Sequence, residues 1–137
     1  MNAIGIKRFF KVTLTTLLVL ASSEVFAEWV KVGGGNPNSD LYVDSSTIRK
    51  NGNMVKMWDM TDFKSTRVGG GLSYLSIKTQ HEFDCKDQKA RILSFTWYSK
   101  NKGNGAAAHT DNQAFEWETI PAETARAALW KVACGKL

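Results

Sequence analysis

Leu72-Ser73-Tyr74-Leu75-Ser76-Ile77-Lys78-Thr79-Gln80-His81-Glu82-Phe83-Asp84-Cys85 is the stretch that decides the fold. Leu75, Ile77, Thr79, His81, Phe83 and Cys85 fall on one side of an extended chain. Tyr74, Ser76, Lys78, Gln80, Glu82 and Asp84 fall on the other. Side chains of a strand alternate between faces, so this period of two predicts a half-buried β-strand. Downstream, Asp87-Gln88 reads as a turn, and Ala90 to Ser99 alternates again with Leu93, Phe95 and Trp97 on one face. Upstream, Gly69-Gly70-Gly71 is a loop by composition. Before it, Asn53 to Phe63 carries Met54, Val55, Met57, Trp58 and Met60 on both faces, which predicts a central strand or one covered on both sides. Asn51-Gly52 tolerates positive φ at both positions and predicts a type I′ hairpin turn into that strand.

Farther out, Glu28 to Val32 and Leu41 to Asp44 read as short strands. The loop Gly33-Gly34-Gly35-Asn36-Pro37-Asn38 separates them, and Ser45-Ser46-Thr47 follows as a turn. Asn101 to Asn104 reads as a loop and Phe115 to Glu118 as a short strand. The last segment changes period. Pro121 suits a helix start, Glu123 favours the dipole of a first turn, and Ala125, Leu129 and Val132 recur at helical spacing with Trp130 on the flank. Gly135 is a C-terminal stop. The fold class expected is α+β: an antiparallel sheet of five or six strands with one C-terminal helix packed on a face.

The cysteines tie this arrangement together. Cys85 ends the decisive strand, Cys134 ends the helix, and they are the only two in the chain. An even count in an oxidising compartment reads as a single disulfide. The compartment is read from the N-terminus. Lys7, Arg8 and Lys11 precede a charge-free, mostly apolar run from Val12 to Ala21, and Val25-Phe26-Ala27 places small residues where a signal peptidase needs them. The run is too short for a membrane span, which takes about 20 apolar residues. Residues 1–27 are therefore expected to be a signal peptide cleaved between Ala27 and Glu28, leaving residues 28–137 as one domain. Glu28 stands where a lipoprotein would carry its lipidated cysteine, so no lipid anchor is expected. The destination is the periplasm or the extracellular space.

The full chain has 18 basic and 13 acidic residues. Lys7, Arg8, Lys11 and Glu24 leave with the signal, so the mature chain keeps a formal charge of +3. That bias is weak and unclustered, and nucleic acid is not an expected partner. Hydrophobic residues at 43% place the chain among ordinary globular domains.

Catalytic patterns are sparse. His81 and His109 lie far apart, and His81 shares its strand face with Ile77 and Phe83, which reads as a satisfied core histidine. The segment His81-Glu82-Phe83-Asp84-Cys85 holds metal-ligand residue types, but alternation splits them between faces. Asp59 and Asp62 are separated by an odd spacing and fall on opposite faces. Neither triglycine run has phosphate-loop spacing, and no nucleophile-elbow motif is present. The expectation is no enzyme, no cofactor and no metal.

Trp29-Val30, Tyr42-Val43-Asp44-Ser45-Ser46-Thr47-Ile48-Arg49 and Val55-Lys56-Met57-Trp58 together resemble the opening of the surface-adhesin protein E family. The resemblance continues through Glu82-Phe83-Asp84-Cys85, Arg91, Tyr98, Trp117, Ile120-Pro121 and Ala128-Leu129-Trp130-Lys131-Val132-Ala133-Cys134. It implies a small antiparallel sheet, one C-terminal helix and a cysteine pair joining them. It also implies dimers in some members, and adhesins that bind host matrix and serum proteins such as vitronectin, laminin and plasminogen. This chain departs from those adhesins in lacking a lipid-anchor cysteine and in having a thinner basic segment before Cys85. That segment holds Lys64, Arg67 and Lys78, with Tyr74 among them. These four are the candidate protein-binding residues, with Tyr74 and Lys78 on one outward face. The alternative is a soluble periplasmic protein of housekeeping or inhibitory role on the same scaffold.

Overall fold

The computed structural model describes residues 28–33 and 36–136. The expected signal segment 1–27, including Ala27, lies outside the described residues, as do Gly34, Gly35 and Leu137. Strands β1 (Trp29–Val32), β2 (Ser39–Asn51), β3 (Met54–Gly69), β4 (Leu72–Asp84), β5 (Lys89–Tyr98) and β6 (Ala107–Asp111) pair in chain order, each antiparallel to the next. A two-residue strand, β7 (Glu118–Thr119), pairs with the start of β5. One helix, α1 (Ala125–Cys134), follows. This is the expected α+β sheet with a C-terminal helix.

The centre of the sheet follows the hydrophobic pattern. The β3–β4 ladder sets Val55 opposite Phe83 and Met57 opposite His81. Val55, Met57 and Phe83 meet Leu41 and Val43 from β2, Ala90 from β5, and Leu129, Trp130 and Ala133 from α1 in one core. Each large apolar side chain buried there contributes about 1.5–3 kcal/mol. The indole Nε1 of Trp130 donates to the Asp84 carbonyl at 3.0 Å. Trp130 is thus a core residue rather than a flank of the stripe. The helix end is fastened by Cys85–Cys134, whose Cα atoms are 5.6 Å apart.

Four local expectations are corrected. Gly52 and Asn53 form the hairpin loop between Asn51 and Met54, and only Gly52 has positive φ (61°), so the turn is type II′ and not I′. Ser45-Ser46-Thr47 is not a turn between elements but part of β2, at a register shift between Asp44 and Arg49. Oδ1 of Asp44 accepts from the Ser46 amide there, and the Asp44 carbonyl accepts from the Thr47 hydroxyl. The helix begins not at Pro121 but after Thr124, whose hydroxyl oxygen accepts from the Ala127 amide. Glu123 has φ 61°, outside any helical turn. Finally, β6 occupies a stretch with no apolar alternation, and Phe115 lies outside any strand.

β4 is buried on both faces over its second half, not half-buried. On the face away from α1, a 3-10 turn, Asn101–Gly103, packs down on the sheet. The Ser76 hydroxyl donates to the Lys100 carbonyl and accepts from the Gly103 amide. Asp62 accepts from Asn101 Nδ2 at 2.9 Å and from the Lys102 amide at 2.7 Å. Glu82 is paired by Arg91 through two hydrogen bonds, and the Arg91 guanidinium lies 4.7 Å from the Trp117 ring centre.

Candidate functional site

The helix covers only part of its side of the sheet. Beyond it, alternation along β5 places Phe95 opposite Thr79 and Trp97 opposite Ile77. The β4–β5 ladder shifts between Gln80–Ser94 and His81–Ile92, so Ile92, not Leu93, lies opposite His81 on this side. Pairing with β6 sets His109 opposite Trp97. Tyr74 stacks on Trp97 with centroids 4.4 Å apart and planes 20° apart. Phe63 meets Tyr74 edge-on at 5.9 Å, and Phe115 meets Phe95 edge-on at 6.0 Å. Arg67 lies 4.9 Å over the Phe63 ring. Gly69 permits this packing, because a Cβ there would sit 2.8 Å from the Trp97 ring. The result is an aromatic ledge with an exposed apolar flank at Phe115 (45%). Contiguous exposed apolar surface of this kind marks interaction sites.

The structure divides the four residues singled out from sequence. Lys64 and Arg67 are exposed. Tyr74 belongs to the ledge through Trp97. Lys78 does not: its Nζ lies 5.1 Å from the Tyr98 ring centre and 5.6 Å from that of Trp29. Tyr98 stands opposite Ser76, on the face away from the helix. Tyr74 and Lys78 therefore act on different sides of the sheet, contrary to the expectation of one outward face. The reason is the break in the β3–β4 ladder between Asp62–Ser76 and Arg67–Tyr74, past which strict alternation no longer holds. Lys78 is also half-buried, with the 3-10 turn pressed on its side chain.

Sequence reasoning missed Phe63, Trp97 and Phe115 as members of this surface, since only tertiary pairing brings β3, β4 and β5 rings together. It also missed the partner of His81. Nδ1 of His81 bonds Oδ2 of Asp59, both side chains being more than nine-tenths buried. Asp59 lies opposite Thr79, two residues from His81 on the same face, while Asp62 points to the other face as expected. The available signal was an acid in the inward row Val55, Met57, Asp59. The pair holds the imidazole in a fixed orientation. No side-chain hydroxyl is hydrogen-bonded to His81 among the described residues. Among the described residues no three His, Cys, Asp or Glu side chains gather as a metal set, and no helix is long and apolar enough to cross a membrane.

Solved structures of Haemophilus influenzae protein E share this fold. One superposes with a TM-score of 0.60 at 14% identity, covering 82% of this chain and 87% of that one. Its selenomethionine form gives 0.61 at 14% identity, covering 81% and 88%. A second crystal form gives 0.57 at 13% identity, covering 78% and 97%. At such identities the likeness speaks to the fold. No curated protein matches the sequence. Residues 29–135 match the family described as surface-adhesin protein E, nearly the whole of the described structure, and the chain belongs to that family.

Proposed function

We propose that this protein is an exported, non-catalytic, adhesin-like domain that binds a protein partner through the aromatic ledge and the cations beside it. The observation that carries this reading is the row Phe63, Tyr74, Trp97, Phe95 and Phe115, stacked into one surface that the helix leaves uncovered, with Arg67 over its end. Rigid aromatic side chains dominate binding energy at interfaces, and exposed cations steer association. Lys64 and Arg67 are the steering charges, and Tyr74 and Trp97 the anchors. Lys78 serves the scaffold. Family membership supports host matrix or serum proteins as the partner class, with vitronectin, laminin and plasminogen the first to try.

Surface plasmon resonance against these immobilised proteins tests the reading. Saturable binding is expected, weakening as salt rises from about 0.05 to 0.5 M because exposed charges are screened. Lys64→Glu with Arg67→Glu should slow association, and Tyr74→Ala with Trp97→Ala should speed dissociation. Sedimentation of the same samples separates partner binding from self-association, in which a second copy covers the ledge. Absence of saturable binding at low salt would overturn the adhesin reading in favour of a periplasmic role on the same scaffold.

A further inference from the structure

A second feature lies apart from the ledge. Between the start of α1 and the sheet is a cleft of about 450 Å³, within the size range of small-molecule sites. Leu41, Ile92, Pro121 and Leu129 give it apolar walls, and Asp59, Thr61, Thr79 and His81 form its floor. His81 is 6% exposed, and its Nδ1 is bonded to Asp59. An ionised carboxylate only accepts, so Nδ1 carries the proton and Nε2 of the neutral ring keeps a lone pair. Nε2 has no hydrogen-bond partner among the described residues. Every fully enclosed side-chain nitrogen or oxygen there does have one, so Nε2 is not enclosed, and the ring it belongs to lines the cleft. An acceptor is thus held in a fixed direction on the floor of an apolar-walled cleft, with no donor for it among the described residues.

We propose that this cleft binds a small uncharged molecule with an apolar body and one hydroxyl group. The walls take the hydrocarbon body, and the hydroxyl donates its proton to Nε2 of His81. The hydroxyls of Thr61 and Thr79 on the same floor supply donors for the ligand oxygen. Asp59 fixes the tautomer and orientation of the ring, so the acceptor needs no reorganisation when the ligand arrives. Charged heads fit worse. A carboxylate would bring its own lone pairs against Nε2 and its charge against Asp59. An ammonium would give up its hydration among apolar walls, with Arg126 and the positive end of α1 at the rim. A hydrocarbon with no hydroxyl would cover Nε2 and leave it unpaired. A neutral donor is the head group that the floor, the walls and the rim all accept.

Octanol is the probe, titrated by calorimetry into the exported protein at about pH 8, where a free imidazole is neutral. One-to-one saturation is expected with a Kd below about 1 mM. Octyl methyl ether keeps the chain and the oxygen but has no proton to donate. It should bind at least about ten-fold more weakly, the scale of one buried acceptor left unpaired. Octanoate and octylammonium should each bind more weakly than the alcohol. The His81 Nε2 resonance should move on addition of octanol and stay in place with the ether, a contrast that a merely structural histidine would not show. His81→Asn keeps an amide N–H for Asp59 and removes Nε2, so octanol binding should fall to the level of the ether. Ala125→Trp at the exposed rim should block the cleft without disturbing the core, and it keeps the test decisive if His81→Asn fails to fold. No saturable binding, equal binding of the ether, tighter binding of either ion, or unchanged binding by Ala125→Trp would overturn the proposal. None of these outcomes bears on the ledge.

Discussion

Lys78 and Arg67 are both cations beside aromatic rings, and their surroundings give them different work. Arg67 is exposed and lies over a single ring, Phe63. Lys78 has its ammonium near two rings, Trp29 and Tyr98, and its methylenes lie so close under Gly103 that a Cβ there would come within 2.3 Å of Cε. A cation with two ring faces and a lid has little freedom to reach a partner. Lys78→Met keeps the methylene packing and removes the charge, so it isolates the cation–π contribution. It is expected to lower stability by about 0.5–1 kcal/mol in urea unfolding, since the site is only half-buried, and to leave partner binding unchanged. Lys64→Glu with Arg67→Glu should do the reverse. The sequence offered no way to separate these three cations, because what distinguishes them is supplied by Trp29 and Gly103, far away along the chain.

At the scale of elements, α1 shows why periodicity locates a helix better than its ends. Leu129, Trp130 and Ala133 recur on one face, and Gly135 stops the helix in the left-handed conformation with φ 65°. The Gly135 stop was legible, and so was Leu129 in the expected stripe of Ala125, Leu129 and Val132, but Ala125 is exposed and the core face runs through Trp130 and Ala133 instead. The start was not legible, because Thr124 lacks a glutamate at the third helical position to complete a capping box, while Pro121 carries a stronger local signal. Position 123 at φ 61° settles the boundary. The Gly52-Asn53 turn has the same character: Asn51-Gly52-Asn53 admits two loops one residue apart. The choice comes from long-range order, in which the Cys85 amide donates to the Asn53 carbonyl at 2.9 Å. Two substitutions probe the helix ends by thermal unfolding. Thr124→Ala should cost about 1 kcal/mol through the lost cap. Cys134→Ser should cost roughly 2–5 kcal/mol, because the bond closes a long loop across a separation of 49 residues. A Cys134→Ser protein as stable as the parent would mean that core packing alone seats the helix.

For the whole molecule, local pattern specified the sheet and the presence of the helix, while the ledge and the Asp59–His81 pair arose where separate strands converge. That limit is physical. Alternation places a residue on a face, but stacking of Tyr74 on Trp97 and pairing of Asp59 with His81 depend on register across three strands and on the breaks in it. The N-terminal edge joins fold to export. β1 begins at Trp29, so cleavage after Ala27 leaves Glu28 alone ahead of the first ladder pair, Trp29 with Asp44. The trimmed chain then keeps all of β1 and both rings around Lys78. Cleavage two residues later would remove Trp29, one end of a four-pair ladder and one of those rings. A chain begun at Val30 should therefore melt lower by roughly 4–8 °C for each kcal/mol lost. We expect the exported protein to have the intact mass of Glu28–Leu137, rising on reduction by the two hydrogens of the opened Cys85–Cys134 bond. A different N-terminus would refute the cleavage assignment, and an unchanged mass on reduction would refute the disulfide in the natural protein.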